Sequence, residues 1–261
     1  MQFSYILDRY FIKQPRLRRL VTSLFEKNRN VDVDIAGAEL HINSRREHGY
    51  LRASRIIQSN SNLRDEIPVL MNLFNLVRNA DTFVDVGANT GLYTHSFSRL
   101  TRLYPDFRII AIEANPDTFS RLSVKQSDQI KYINLAMSDT TGVIEFIGGA
   151  VSHVFTSLDK KNCYSIDGET VIVPTKRLDE LEINSKSIIL KIDVEGQESR
   201  VLRGATQLLE NGSVKAIYLD GYDDPSINET LIEYGFQLFE GKSLRNIEVH
   251  EKPHSLLAIK H

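Results

Sequence analysis

The sequence holds one cysteine, Cys163, in 261 residues. A single thiol cannot build an intramolecular disulfide framework or supply a zinc knuckle. That economy fits a reducing compartment. No apolar run approaches the roughly 20 residues that a membrane span requires. Asp8, Arg9 and Lys13 interrupt the apolar character near the start, unlike a signal peptide. A cytoplasmic location is the expectation. An excess of one charge is also missing: the formal net charge is −2 with histidine neutral. This removes any global attraction to nucleic acid or to an anionic membrane. Internal repeats and low-complexity tracts are absent, and the length is enough to bury a full core.

What is present is a glycine turn between a strand and a helix. Thr82–Val86 reads as a buried strand, Gly87-Ala88-Asn89-Thr90-Gly91 as the turn, and Leu92–Leu103 as the helix. Such a turn brings backbone close to a ligand and aims free N–H groups above the strand. The dinucleotide fingerprint has a middle glycine that admits a pyrophosphate. Asn89 stands there instead, which argues for a nucleoside ligand without a pyrophosphate, such as S-adenosylmethionine (SAM). Arg108–Ile112 is a second apolar strand, and Glu113 after it lies about 20 residues past the turn, placed to hold ribose hydroxyls.

Strands and helices then alternate. Asn115 and Pro116 open a helix over Asp117–Lys125, and Lys131–Leu135 is a third strand followed by Ser138 and Asp139. The Asp139 carboxylate suits an adenine amine. Ser187–Ile192 is a fourth strand interrupted by Lys191 and ending in Asp193-Val194-Glu195-Gly196, with a helix over Gln197–Glu210. An unpaired lysine in a central strand is expensive, so a carboxylate partner is expected, from Asp193 or from Asp85 on the neighbouring strand. Val214–Leu219 is a fifth strand leading to Asp220. Asp224 caps the next helix, and Phe236–Glu240 and Ser255–Lys260 form a terminal antiparallel pair. This alternation requires a mostly parallel sheet with helices on both faces, whose ligands bind at the carboxyl ends of strands.

Other segments sit outside that rhythm. Residues 1–30 read as a helical extension with a basic cluster, Arg16, Arg18 and Arg19. Residues 31–43 read as a short hairpin, with His41 facing out, and a helix over 65–78 presents Ile67, Leu70, Met71, Phe74 and Val77 on one face. Residues 142–175 contain two strand-like stretches around a Gly/Ser/Thr-rich loop with His153, Tyr164 and Asp167. This insert is the expected acceptor lid, and His153 a candidate base. The domain division expected is 1–63, an N-terminal helical and hairpin extension, and 64–261, a cofactor-binding catalytic domain.

Val84-Asp-Val-Gly-Ala-Asn-Thr-Gly91, Glu113-Ala-Asn-Pro116, Val173-Pro-Thr-x-x-Leu-Asp179 and Leu190-Lys-Ile-Asp-Val-Glu-Gly196, followed by Val201-Leu-x-Gly204, resemble the FkbM-type SAM-dependent methyltransferases over roughly residues 31–260. The resemblance implies a class I, Rossmann-like methyltransferase fold with a seven-stranded central sheet. It also implies O-methylation of a hydroxyl on a sugar, glycan or natural product. The expected cofactor contacts are Asp85, Gly87, Ala88, Asn89, Thr90, Gly91 and Tyr93, then Glu113, Ala114 and Asn115, then Ser138, Asp139 and Asp193. Asp193 and Glu195, with His153, are the candidate catalytic groups. The Asn/Asp-Pro-Pro-Tyr/Phe motif of amino-methyltransferases is missing, and Cys163 follows Asn162 rather than proline. Base methylation of nucleic acid is therefore disfavoured. A magnesium ion between Asp193 and Asp220 remains an unfavoured alternative. A non-catalytic SAM-binding module and a nicotinamide-dependent oxidoreductase are the rival functional classes.

Overall fold

The computed structural model describes residues 27–55, 61–148, 169–222 and 224–260. The extension up to residue 26 and the insert residues His153, Tyr164 and Asp167 lie outside the described residues.

A seven-stranded sheet forms the centre. Its strands are β3 (Thr82–Val86), β4 (Arg108–Ile112), β5 (Ile130–Ile133), β9 (Ile188–Ile192), β10 (Val214–Asp220), β11 (Gln237–Glu240) and β12 (Ser255–Ile259), in the spatial order β11-β12-β10-β9-β3-β4-β5. β3, β4, β5, β9 and β10 are parallel. β12 runs antiparallel between β10 and β11. β3 and β9 are buried along their whole length, as strands covered on both faces must be. The chain leaves β3 toward β5 and later returns to the other side of β3 at β9. The gap between these two directions is the switch point of the sheet.

Helices cover both faces. On one, α2 (Ser61–Phe74), α3 (Leu92–Leu100) and α4 (Pro116–Leu122) pack Leu73, Phe97 and Leu122 with Phe83 and Ile109. On the other, α5 (Glu198–Arg203), α6 (Thr206–Glu210) and α7 (Ser226–Glu233) pack Val201, Leu209 and Leu231 with Leu190 and Ile217. With this strand order and these two helical layers, the fold is that of a class I SAM-dependent methyltransferase. Among the described residues no helix is long and apolar enough to cross a membrane.

Two smaller sheets are also present among the described residues. β1 (Asn30–Ile35) and β2 (Ala38–Asn43) form the expected hairpin. α1 (His48–Ala53) follows it. The hairpin and α1 are tied to the catalytic core through Arg121 and Glu47, paired at 2.6 Å and almost fully buried, and through Arg99, which donates to the Gly37 carbonyl at 2.7 Å. β6 (Ala136–Met137) and β7 (Gly142–Gly148) flank β8 (Glu169–Lys176) in a separate three-stranded sheet.

Some elements differ from the sequence reading in their bounds or faces. The third strand ends at Ile133, because the Asn134 side-chain amide turns back to the carbonyls of Glu113 and Ala114. The helix expected over 197–210 breaks into α5 and α6 at Gly204, where a Cβ would overlap the Ser138 carbonyl oxygen. The buried face of α2 carries Val69 and Leu73, and Met71 is 55% exposed. Its inward arc is rotated by about one position from the face that the apolar residues alone suggest.

Candidate active site

The Gly87–Gly91 turn is left-handed at three positions, with φ of 76° at Gly87, 51° at Asn89 and 91° at Gly91. The Gly87 and Ala88 amides both donate to the Ile112 carbonyl at 2.9 Å, binding the turn to β4. Side-chain room at the two glycines is taken up by the protein itself. A Cβ on Gly87 would overlap the Asp193 carbonyl, and one on Gly91 would crowd His95 and Leu122. The openness expected to serve a ligand serves first the packing of β3 against β9.

Beneath the turn lies Lys191, 2% exposed. Its ammonium donates to the Gly87 carbonyl at 2.9 Å and meets Asp85 at 3.1 Å and Asp193 at 3.5 Å. Tyr93 presents its ring face 5.2 Å away. Burial alone would depress the lysine pKa, but Asp85 and then Asp193 outweigh it and hold it above the usual range. The expected carboxylate pairing is present. It corrects the reading of Asp85 as a cofactor contact: that side chain is fully buried, with one oxygen on Lys191 and the other accepting from Thr94 at 2.7 Å.

Glu113, also buried, accepts from the Asn89 amide through Oε2 and the Asn115 amide through Oε1, both at 2.8 Å. Burial pushes its carboxyl above the usual range, against the pull of those two N–H groups. Each oxygen keeps a second lone pair for a hydroxyl. Asn115 is committed as the cap of α4, accepting from Asp117 and Thr118. After β9, the buried Glu198 carboxylate accepts from the amides of Val194 and Gly196, at 3.2 and 3.1 Å. This fixes the Asp193–Gly196 loop and places Glu195 at a φ of 53°.

A cleft opens between these loops, at the carboxyl ends of β3, β4 and β9. Of the expected residues, Gly87, Asn89, Glu113, Ala114, Ser138, Asp193 and Glu195 line it. Ala88, Thr90 and Tyr93 are buried beneath the turn, and Gly91 caps α3. Asp139 is engaged within the protein. Its oxygens are held by Arg200 at 3.1 Å and Arg203 at 3.2 Å, so the carboxylate braces α5, and Asp139 is not among the residues lining the cleft. Burial raises its pKa, but the two arginines overcome this and keep it below the usual range. The sequence reading missed an apolar slot formed by Leu135, Met137 and Ile144. Ile144 belongs to β7, so part of the insert borders this cleft. His153 lies outside the described residues.

Asp193 is 30% exposed at the side chain and is pushed up to about 7, by burial first and then by Asp220 and Glu195 against the pull of Lys191. Glu66, from α2, is pushed up to about 8 by burial and then by Asp193 and Asp220. Both folded-state values lie above those of an unfolded chain. Their contribution to stability is therefore complete below the ordinary carboxylate range and is lost as pH rises through 7 and 8. The melting temperature is expected to fall between pH 5 and pH 9, with the upper part of that fall absent in Glu66→Gln. A pH-independent melting temperature by calorimetry would contradict this. The expected cap residue Asp224 precedes the actual N-cap, Pro225, and its carboxylate accepts from the Ser226 amide at 3.0 Å. Among the described residues no group of three or more His, Cys, Asp and Glu side chains is arranged to hold a metal ion.

Fold and cleft together define a nucleoside-dependent group-transfer protein of the class I methyltransferase type. The model of the FkbM methyltransferase domain matches residues 85–240, and the chain belongs to that family. The hexuronic acid methyltransferase AglP of Haloferax volcanii is 28% identical over 171 residues, covering 62% of this chain and 66% of AglP. The chain thus spans about two thirds of the length of that curated relative. Among solved structures, the methyltransferase domain of the bacterial CtHen1-CN is similar with a TM-score of 0.41 at 11% identity, over 74% of this chain and 96% of that one. A TehB-like SAM-dependent methyltransferase from Corynebacterium glutamicum is similar with a TM-score of 0.41 at 10% identity, over 82% of this chain and 98% of that one.

Proposed function

We propose that this chain transfers a methyl group from SAM to a hydroxyl of a sugar, glycan or natural product. The observation that carries the reading is the cleft itself. It joins a strand-end glycine turn, a buried acid after β4 and an apolar slot beside Ser138, in one space at the switch point of the sheet. That set matches the cofactor by chemistry. Leu135, Met137 and Ile144 would receive the purine ring, Glu113 would accept from the ribose hydroxyls, and Asp193 lies toward the turn, where the cationic end would sit. The cofactor supplies a methyl on a positively charged sulfur, so an acceptor oxygen gains the carbon while sulfur keeps the bonding pair. The chain's own task is to hold the acceptor oxygen in line, which can supply much of the rate.

A hexuronic acid is the acceptor in the name of the Haloferax relative, and it makes a sugar hydroxyl the first acceptor class to test. Asn89 in place of a middle glycine speaks against a nicotinamide dinucleotide. The reading includes a cytoplasmic location, supported by the single cysteine.

The test uses SAM carrying a tritiated methyl with glucuronic acid, galacturonic acid, neutral hexoses and their glycosides as probes. Label in the sugar supports the reading. SAM binding without transfer to any hydroxyl acceptor would favour a non-catalytic module, and NAD binding in place of SAM would favour the oxidoreductase. Glu113→Ala is expected to weaken SAM by about 1–3 kcal/mol in calorimetry, the range for a lost hydrogen bond to a charged group. Unchanged affinity would remove Glu113 from the cofactor site.

A further inference from the structure

Glu66 stands where an apolar residue would be expected. α2 buries Leu63, Val69, Leu70 and Leu73. Helical spacing puts Glu66 in the middle of that arc, one turn from Leu63 on one side and one turn from Val69 and Leu70 on the other. Leu63 packs with Leu92 at the head of α3. Val69, Leu70 and Leu73 pack with Tyr93 and Tyr218. Glu66 is thus suspended between two contacts that bracket the glycine turn and the carboxyl end of β10.

Ionisable groups act on it from each element packed there. Lys191 and Asp193 come from β9 and its loop, Asp220 and Tyr218 from β10, Asp85 from β3, Tyr93 from α3 and Tyr50 from α1. Asp193 is the shared wall, lining the cofactor cleft and acting electrostatically on Glu66. Two carboxyls that repel one another titrate apart, and one of them takes up protons near neutrality. A base works best with its pKa close to the working pH.

We propose that Glu66 is the catalytic base for the acceptor hydroxyl, and that α1 and α2, with Tyr50, build the acceptor side of the site. The proposal rests on the methyl-transfer reading above. As the oxygen–carbon bond forms, the O–H bond breaks and its proton passes to the Glu66 carboxylate. The carbon–sulfur pair stays with sulfur, and the neutral Glu66 acid returns the proton to water, so no further reactant is needed.

The experiment compares the whole chain with Glu66→Gln and Glu66→Asp. The first arm needs no acceptor. Affinities for SAM and for S-adenosylhomocysteine, which lacks the sulfonium charge, are measured by calorimetry from pH 6 to pH 9. In the wild type and Glu66→Asp, the preference for SAM should rise by about tenfold as the carboxyls ionise. In Glu66→Gln the part of that rise centred near pH 8 should vanish. The second arm is turnover on whichever sugar probe the wild type methylates. Glu66→Gln should lose roughly 100-fold in kcat, with KM for SAM at about pH 7, below the Glu66 titration, within about twofold and the rise of rate with pH abolished; Glu66→Asp should recover part of the rate. An unaltered SAM preference profile in Glu66→Gln, or turnover within about threefold of wild type with the same pH profile, overturns the proposal. A wild type that binds SAM but methylates no probe counts against the proposed function, and the first arm then decides the role of Glu66.

Discussion

Lys191→Met is expected to cost about 3–5 kcal/mol of folding stability, the penalty for stranding one member of a buried ion pair. Asp85 is fully buried, and the lysine ammonium at 3.1 Å is its counter-charge. Methionine would fill the volume but leave a carboxylate against the apolar underside of the sheet. The Gly87 carbonyl would lose its donor as well, so SAM affinity should fall in whatever fraction still folds. The check is urea unfolding of Lys191→Met beside the double variant Asp85→Leu/Lys191→Met. Removing both charges should restore most of the loss. Equal midpoints for wild type and Lys191→Met would mean that the pair contributes nothing.

Gly87→Ala should also be strongly destabilising, through backbone strain and steric overlap together. A left-handed φ costs an L-residue roughly 1–2 kcal/mol, and φ here is 76°. The added methyl would also overlap the Asp193 carbonyl. Relief requires β3 and β9 to part just where Asp193 donates its amide to the Val86 carbonyl at 3.0 Å. The strain is in the backbone, so thermal unfolding of the cofactor-free chain should show it. A melting temperature within about 2 °C of wild type, for an expected effect several times larger, would show that the turn can rearrange.

The parallel sheet was legible because its signals are local. Runs such as Ile188–Ile192, buried on both faces, and the glycine turn each lie within one short stretch of chain. The same locality placed Gly87, Glu113 and Asp193 at strand ends, where the cleft opens. What escaped depends on partners far apart in sequence. Asp139 looks like a ligand contact until Arg200 and Arg203 arrive from a later helix. Asp85 and Asp193 look equivalent until depth separates them, one fully buried and the other 30% exposed. Glu66 reads as one more surface acid on an amphipathic helix. Only the tertiary packing of Leu63 and Leu70 on either side of it reveals that it faces inward.

The position of β12 between β10 and β11 sets a condition on how the protein is made. A nascent chain that has emerged as far as Glu240 already holds β10, the crossover helix and β11, but lacks the strand that must separate them. The two parallel strands then face each other across a gap of two strand spacings, close to 10 Å. Direct closure of that gap would be a trap, since it must reopen before Ser255–Ile259 can insert with all of its antiparallel pairs to both neighbours. Until that moment β10, the strand that carries Asp220, is an open edge able to recruit another chain. The exposure of that edge during synthesis would last from the emergence of residue 220 to that of residue 259, and slow translation through 241–254 would lengthen it.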